Sequence, residues 1–424
     1  MADIVDRRAG IADAIQLLPS TIVDGRGDVG CPVVHFDFTV AAEAGSYHEL
    51  AKVLRDWSPT YFNTLAQGFW MVTTYDAVRD MFERQDLFSS TSFVATDPDP
   101  AFRMLPTQVD APDHLKYRRI LNPWFSAATI KRREHEIRAI ARRLVEEIVE
   151  TGGCDVVSRF CMRLPTEVYL LFVGQPTQDA DLMVPWVEAF FDGYTGAPDT
   201  VEPMQAALES LHEYYRQILA DRAANMRDPS TDFFSNLLTA KFDDRLLDAD
   251  ELQDICFELT TASLDTTRAH MGYLLWHLAQ HDDDRQRLNE DMSLVPKAVE
   301  ESLRYHAIVF GDGRKAIKDE EFYGCNLKQG DMMFGVIASA NRDPSRFADP
   351  DKFIIDRPGA ATHLGFATGP HKCLGLHLAR RDLQIGLEEW HRLIPDYELD
   401  TREPLLERGS QLSLMSLPLR WRHR

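Results

Sequence analysis

The stretch from Asp248 to Gln280 contains no proline. As one helix, rising about 1.5 Å per residue, it extends about 45 to 50 Å, which crosses a whole domain. Everything else in the chain has to pack around such a rod. Its middle, LTTASLDTTRAHMGYLL, interrupts an apolar pattern with Asp265, Thr266 and Thr267. Asp and Thr often cap helices, and a solvated face would carry them too. The apolar periodicity continues past them through Met271, Leu274, Leu275 and Leu278, so the helix is expected to run on.

Around it the pattern is mostly helical. Residues 126–148 are helical and heavily charged, and residues 182–196 and 207–226 show 3.6-residue spacing, as does LGLHLARRDLQIGLEEWHRL near the end. GFWMVTTY (68–75) alternates and reads as a strand, whereas Ser92 to Asp110 is rich in Pro and Asp and reads as a long loop. The expected class is mainly α with minor β, in one unit spanning 1–424. Hydrophobic residues make up 44%, enough for a sizeable core. With 67 Asp and Glu against 46 Lys and Arg, the net charge of −21 disfavours nucleic acid as a partner. The N-terminal MADIVDRRAGIADAIQLLPS lacks the apolar run of a signal or anchor, and no stretch approaches a membrane span, so a soluble, cytoplasmic protein is expected.

Six cysteines, Cys31, Cys154, Cys161, Cys256, Cys325 and Cys373, show no CxxC spacing. The first five read as small buried hydrophobes in a reducing compartment. Cys373 differs, because it lies in FATGPHKCLG between Gly369 and Gly375. The glycines permit close approaches, Pro370 stiffens the turn, and Phe366 supplies an apolar lid. A helix starting near Leu374 would place backbone N–H groups at the sulfur and favour a thiolate. Two uses compete. A nucleophile wants a histidine base, and His371 on the same tight loop is poorly placed for that. A ligand to haem iron wants apolar shielding, room for the macrocycle and cations for its propionates, a role that suits His371.

FATGPHKCLG resembles the haem-binding loop of the cytochrome P450 monooxygenases, Phe-x-x-Gly-x-x-x-Cys-x-Gly. Glu301-Ser-Leu-Arg304 resembles the Glu-x-x-Arg helix of that family, and ANRDPSRFADPDKFIIDRP (340–358) its meander region. The resemblance implies a triangular helical prism with small β-sheets, one haem b between the long helix and the cysteine loop, and Cys373 as the iron ligand. It also implies a buried network of Glu301, Arg304 and Arg357. ASLDTT resembles the oxygen-activating motif, with Asp265 and Thr266 as the acid and alcohol pair. Thr266 would bond within the helix and leave a notch for dioxygen, and Asp265 would pass protons toward it. Ser263 stands where glycine is usual. DAPDHLKYRR (110–119) resembles the His-x-x-x-Arg helix, so His114 and Arg118, together with Arg314 and His371, are expected at the propionates, with Asp312 orienting Arg314.

The resemblance places a substrate pocket at Phe93, Val94, Phe190, Phe191, Ala262, Ile308, Val309 and Phe310, with Leu414 and Met415 as further candidates. Such a lining favours a terpenoid, steroid or fatty acyl substrate. His306 and Ala307 replace prolines usual after the Glu-x-x-Arg helix. No flavin-binding region is recognised, so electrons are expected from a ferredoxin and its reductase. The ferredoxin would dock on a patch drawn from Lys116, Arg119, Lys131, Arg132, Lys372 and Arg380. A monomeric, ferredoxin-dependent monooxygenase is the first expectation. A peroxide-driven or rearranging relative, and a haem sensor or lipid carrier, are the alternatives.

Overall fold

The computed structural model describes residues 15–18, 20–23, 26–100, 103–193 and 200–422. The first 14 residues and the end of the helical stretch expected over 182–196 lie outside them. The central helix runs Ala249–Gln280, 32 residues. Asp248 opens it with a capping box: its carboxylate accepts from the Glu251 N–H, and the Glu251 carboxylate accepts from the Asp248 N–H. Burial on almost every face explains why no single apolar stripe marks it in the sequence.

Six described α-helices pack against this rod: Arg163–Val173, Ala180–Gly193, Val201–Ala224, Asp282–Glu290, Val295–Tyr305 and Leu376–Leu393. The last also lies along Ala127–Val149, where buried Glu389 accepts from Arg138 and Arg142 at 2.7 and 3.0 Å. Ser126 caps that helix by accepting from the Thr129 N–H.

The β structure gathers at one side. Its largest sheet has seven strands in the order Ile15–Leu17, Val33–Phe36, Thr60–Asn63, Phe69–Val72, Met332–Gly335, Asp312–Ala316, Phe88–Ser89. Two pairings are parallel, Val33–Phe36 with Thr60–Asn63 and Phe69–Val72 with Met332–Gly335; the rest are antiparallel. The strand Phe69–Val72 falls inside the alternating stretch 68–75, and the described part of Ser92–Asp110 holds neither helix nor strand. The sheet presents Asp312 and Arg314 toward the helical layer. Cys31, Cys161, Cys256 and Cys325 are buried and Cys154 half-buried, all as free thiols. No described helix is long and apolar enough to cross a membrane.

Candidate active site

Between the central helix and the loop around Cys373 lies a cavity of about 370 Å³. From the helix it is lined by Glu258, Ala262, Ser263, Thr266 and Thr267; from the loop by Phe366, His371, Cys373 and Gly375. The loop's shape follows from its glycines. Gly369 sits at φ +71°, and a Cβ there would lie 2.8 Å from the Phe82 carbonyl oxygen. A Cβ on Gly375 would instead meet open space on the cavity side. The Cys373 N–H donates to the Phe366 carbonyl at 2.9 Å, closing the turn. The helix begins at Leu376 with Gly375 as its cap, two residues later than Leu374. Burial pushes the Cys373 thiol up, while the Gly375 N–H and the Arg118 guanidinium pull it back. A metal bound at this sulfur would favour its deprotonated form. Arg380 covers the Phe366 ring at 4.7 Å.

The cation set assembles beside the loop. His114 and His371 stack with ring centroids 3.8 Å apart. Both ring nitrogens of His114 and Nε2 of His371 are buried without a partner among the described residues. Burial, followed by the charge of Arg118, lowers His114 to about 4. Burial, His114 and Arg314 hold His371 down, to about 2. Arg118 lines the cavity and forms no ion pair among the described residues. Arg314 stands behind the cavity wall: it donates to the Gly313 carbonyl at 2.6 Å and to Asp312 at 3.2 Å, over the Phe82 ring. The orphaned imidazole nitrogens call for hydrogen-bond partners, and a guanidinium with no ion pair among the described residues calls for an anion. Two propionates would satisfy them, the open face of Gly375 would admit a flat macrocycle, and Cys373 would meet its metal, so the residues fit haem.

On the opposite wall Thr266 donates to the Ala262 carbonyl at 2.7 Å, a bond back into a helix that runs unbroken through this point. Asp265 departs from expectation. It does not line the cavity, and its fully buried carboxylate is held by Arg268 at 2.9 Å, by Arg408 at 2.8 and 2.9 Å, and by Gln411. Arg408 also reaches the exposed Asp192 at 3.1 Å. Arg408 and Gln411, like the cavity carboxylates Glu258 and Asp382, escaped the sequence reading. Glu258 had a signal, since it lies four and eight residues before Ala262 and Thr266 and so shares their face. Arg408 and Gln411 had none, because only tertiary folding brings them to Asp265.

Phe93, Val94, Phe190, Phe191, Ala262, Ile308 and Val309 line the cavity. Phe310, Leu414 and Met415 do not. Phe310 is buried in an aromatic cluster with Phe36, Tyr47 and Phe334, and Leu414 packs near Gly272 in the core. Met415 is 56% exposed at the surface, because neighbours along a strand point to opposite faces and an edge turns one of them outward. His306 is buried against Tyr273 and also stays clear of the cavity. Behind the site, Glu301 takes Arg304 at 2.7 and 2.8 Å and Arg357 at 2.9 and 3.1 Å. The two arginines spend their other N–H groups on carbonyls of the meander, including Pro350 and Lys352. Of the basic surface residues, Lys116 is tied to Asp113 and Asp243 and Arg380 to Glu300, whereas Arg119, Lys131, Arg132 and Lys372 are exposed.

A mainly helical fold with small sheets, a cysteine loop facing the central helix across a cavity, and Arg118 beside the orphaned nitrogens of His114 and His371 fit a haem-thiolate protein. The cytochrome P450 family model matches residues 167–418. Over 83% of its length the chain is 31% identical to a steroid C26-monooxygenase of Mycobacterium tuberculosis, covering 94% of it. It is 29% identical to a mycinamicin IV hydroxylase/epoxidase of Micromonospora griseorubida, across 90% of the chain and 96% of that protein. The crystal structure of cytochrome P450 CYP101C1 superposes over 96% of the chain and all of its own, with TM-score 0.83 and 26% identity. The chain belongs to the cytochrome P450 family, in its bacterial branch, and is a haem monooxygenase.

Proposed function

We propose that the chain inserts one oxygen atom of dioxygen into a lipophilic small molecule of terpenoid, steroid or fatty acyl type. Haem b is the cofactor, held by Cys373 with His114, Arg118, Arg314 and His371 at its propionates. Electrons come from a ferredoxin and its reductase, and the protein works as a cytoplasmic monomer. The observation that carries this reading is the largely apolar cavity enclosed between Thr266 and Cys373. The names of two relatives, which specify a steroid and mycinamicin IV, support a bulky substrate.

When bound, the haem supplies dioxygen chemistry, to which a thiolate ligand contributes electron density that favours O–O cleavage. The chain's part is to exclude water and deliver protons. Thr266 gives its own proton to Ala262, so its oxygen lone pairs face the cavity and hold a donor there. Asp265 moves a proton only after releasing part of its grip on Arg268, Arg408 and Gln411. Arg408 links that grip to Asp192 at the surface, which makes this side the entry for protons. Phe93, Phe190 and Phe191 press the substrate toward Thr266. Arg119 and Lys372, exposed beside the cysteine loop, form the centre of the ferredoxin site, with Lys116 partly neutralised by its aspartates.

Thr266→Ala tests the reading. Reductant consumption should continue while product per electron pair falls by about tenfold and hydrogen peroxide takes its place, the scale of losing one positioned proton-transfer group. Unchanged product yield would exclude Thr266 from proton delivery.

A further inference from the structure

Glu258 is a carboxylate where the substrate is expected, and nothing in the monooxygenase reading uses it. It sits on the central helix, on the same face as Ala262 and Thr266, and lines the cavity while being only 8% exposed. Its Oε1 accepts from the Thr107 hydroxyl. Its Oε2 is buried with no partner among the described residues. The charge that acts on it is another acid, Asp312, which also lines the cavity and already has Arg314 as its cation. Among the described residues no guanidinium, ammonium or imidazolium pairs with Glu258. The cavity lining also includes the apolar Phe93, Val94, Met104 and Leu259.

A buried carboxylate oxygen without a donor is costly, and such groups survive where a ligand completes them. Holding the loop is not a sufficient reason for it. Thr107 occupies one oxygen, and Arg103 already ties the same loop to Asp254 at 2.9 Å, one turn earlier on the helix. An amide would accept from Thr107 equally well and without the charge.

We propose that Glu258 is the recognition point for a positively charged nitrogen on an otherwise lipophilic substrate. The cation lies against Oε2, and the apolar skeleton extends along Phe93 and Ile308 toward Thr266. The inference rests on the monooxygenase reading for the location of the substrate, and it narrows the substrate class to basic lipophiles. A charged hydrogen bond or ion pair in such a dry site is the strongest single polar contact available to a ligand there.

The test uses the haem-loaded protein and adamantyltrimethylammonium, a cation with no lone pair to ligate iron. Its affinity is measured calorimetrically at about pH 8.5, where Glu258 is ionised, beside those of 1-adamantanol and 1-adamantanecarboxylate, in wild type and Glu258→Gln. The variant keeps an acceptor for Thr107 and removes only the charge. The wild type should bind the ammonium at least about tenfold tighter than the alcohol, and Glu258→Gln should erase that gap while leaving alcohol affinity within about twofold. Equal binding of the three probes, a preference for the alcohol or carboxylate, or an ammonium preference that survives in Glu258→Gln would overturn the proposal. Failure of the monooxygenase reading shows separately, as absent haem loading before any probe is added.

Discussion

Burial pushes Glu258 up to about 7 from 4.5, with Thr107 opposing the shift. The folded protein thus holds this proton more tightly than the unfolded chain. Below about pH 4.5 both states are protonated and the group is neutral in its effect; between about pH 4.5 and 7 its destabilising effect grows, and above that it is constant. Glu258→Gln removes the effect. The melting temperature of the haem-loaded variant should exceed that of wild type by a margin that widens from about pH 5 to 7 and then levels off. A margin independent of pH would show that Glu258 does not titrate in the fold. At this scale the sequence revealed residue type more readily than surroundings. Cys373 stood out because its neighbours are so unlike those of the other five cysteines. Glu258 shared a face with Ala262 and Thr266, but its burial depends on a loop 151 residues earlier. Asp265 was visible as a polar intruder, yet its clamp of Arg268, Arg408 and Gln411 comes partly from a distant strand end.

The cysteine loop forms one wall of the cavity, and the meander is tied to Arg304 and Arg357 behind it. Gly369→Ala would force a side chain into a left-handed backbone against the Phe82 carbonyl, a strain of about 1 to 3 kcal/mol. The expected result is a lower melting temperature and faster loss of haem to apomyoglobin; an unchanged rate would mean the loop tolerates the methyl group. Arg357→Ala leaves Glu301 with Arg304 and the Ile354 N–H, and frees two meander carbonyls, those of Ala348 and Asp349, while Lys352 keeps Arg304. Breaking a buried pair of this kind costs about 3 to 5 kcal/mol, so haem-loaded protein should fail to accumulate on expression. Normal yield would show that the network is not required. Helices were legible from period and caps, most clearly Asp248 and Ser126. The short strands were less so, since a two- to five-residue strand carries too few residues to show a period. That is why Leu414 and Met415, on and beside such a strand, were misplaced.

Over the whole molecule the charge is strongly negative, so an exposed local basic group stands out to an acidic donor. Arg119→Glu with Lys372→Glu should slow ferredoxin-driven reduction by about tenfold at low salt, with the difference shrinking as salt rises. Stopped-flow reduction measures this, and an unaltered rate would move the docking site elsewhere. The family was legible because three motifs occur in one order along the chain. The substrate was not, because the cavity wall is assembled from segments scattered from Phe38 to Gln411.

The account depends most on sulfur 373 as the iron ligand. The dithionite-reduced, carbon monoxide-treated protein should absorb at about 450 nm, as thiolate ligation requires, and Cys373→Ser should lose that band. Haem-replete wild type without a band near about 450 nm, or a Cys373→Ser variant that retains it, would contradict the account.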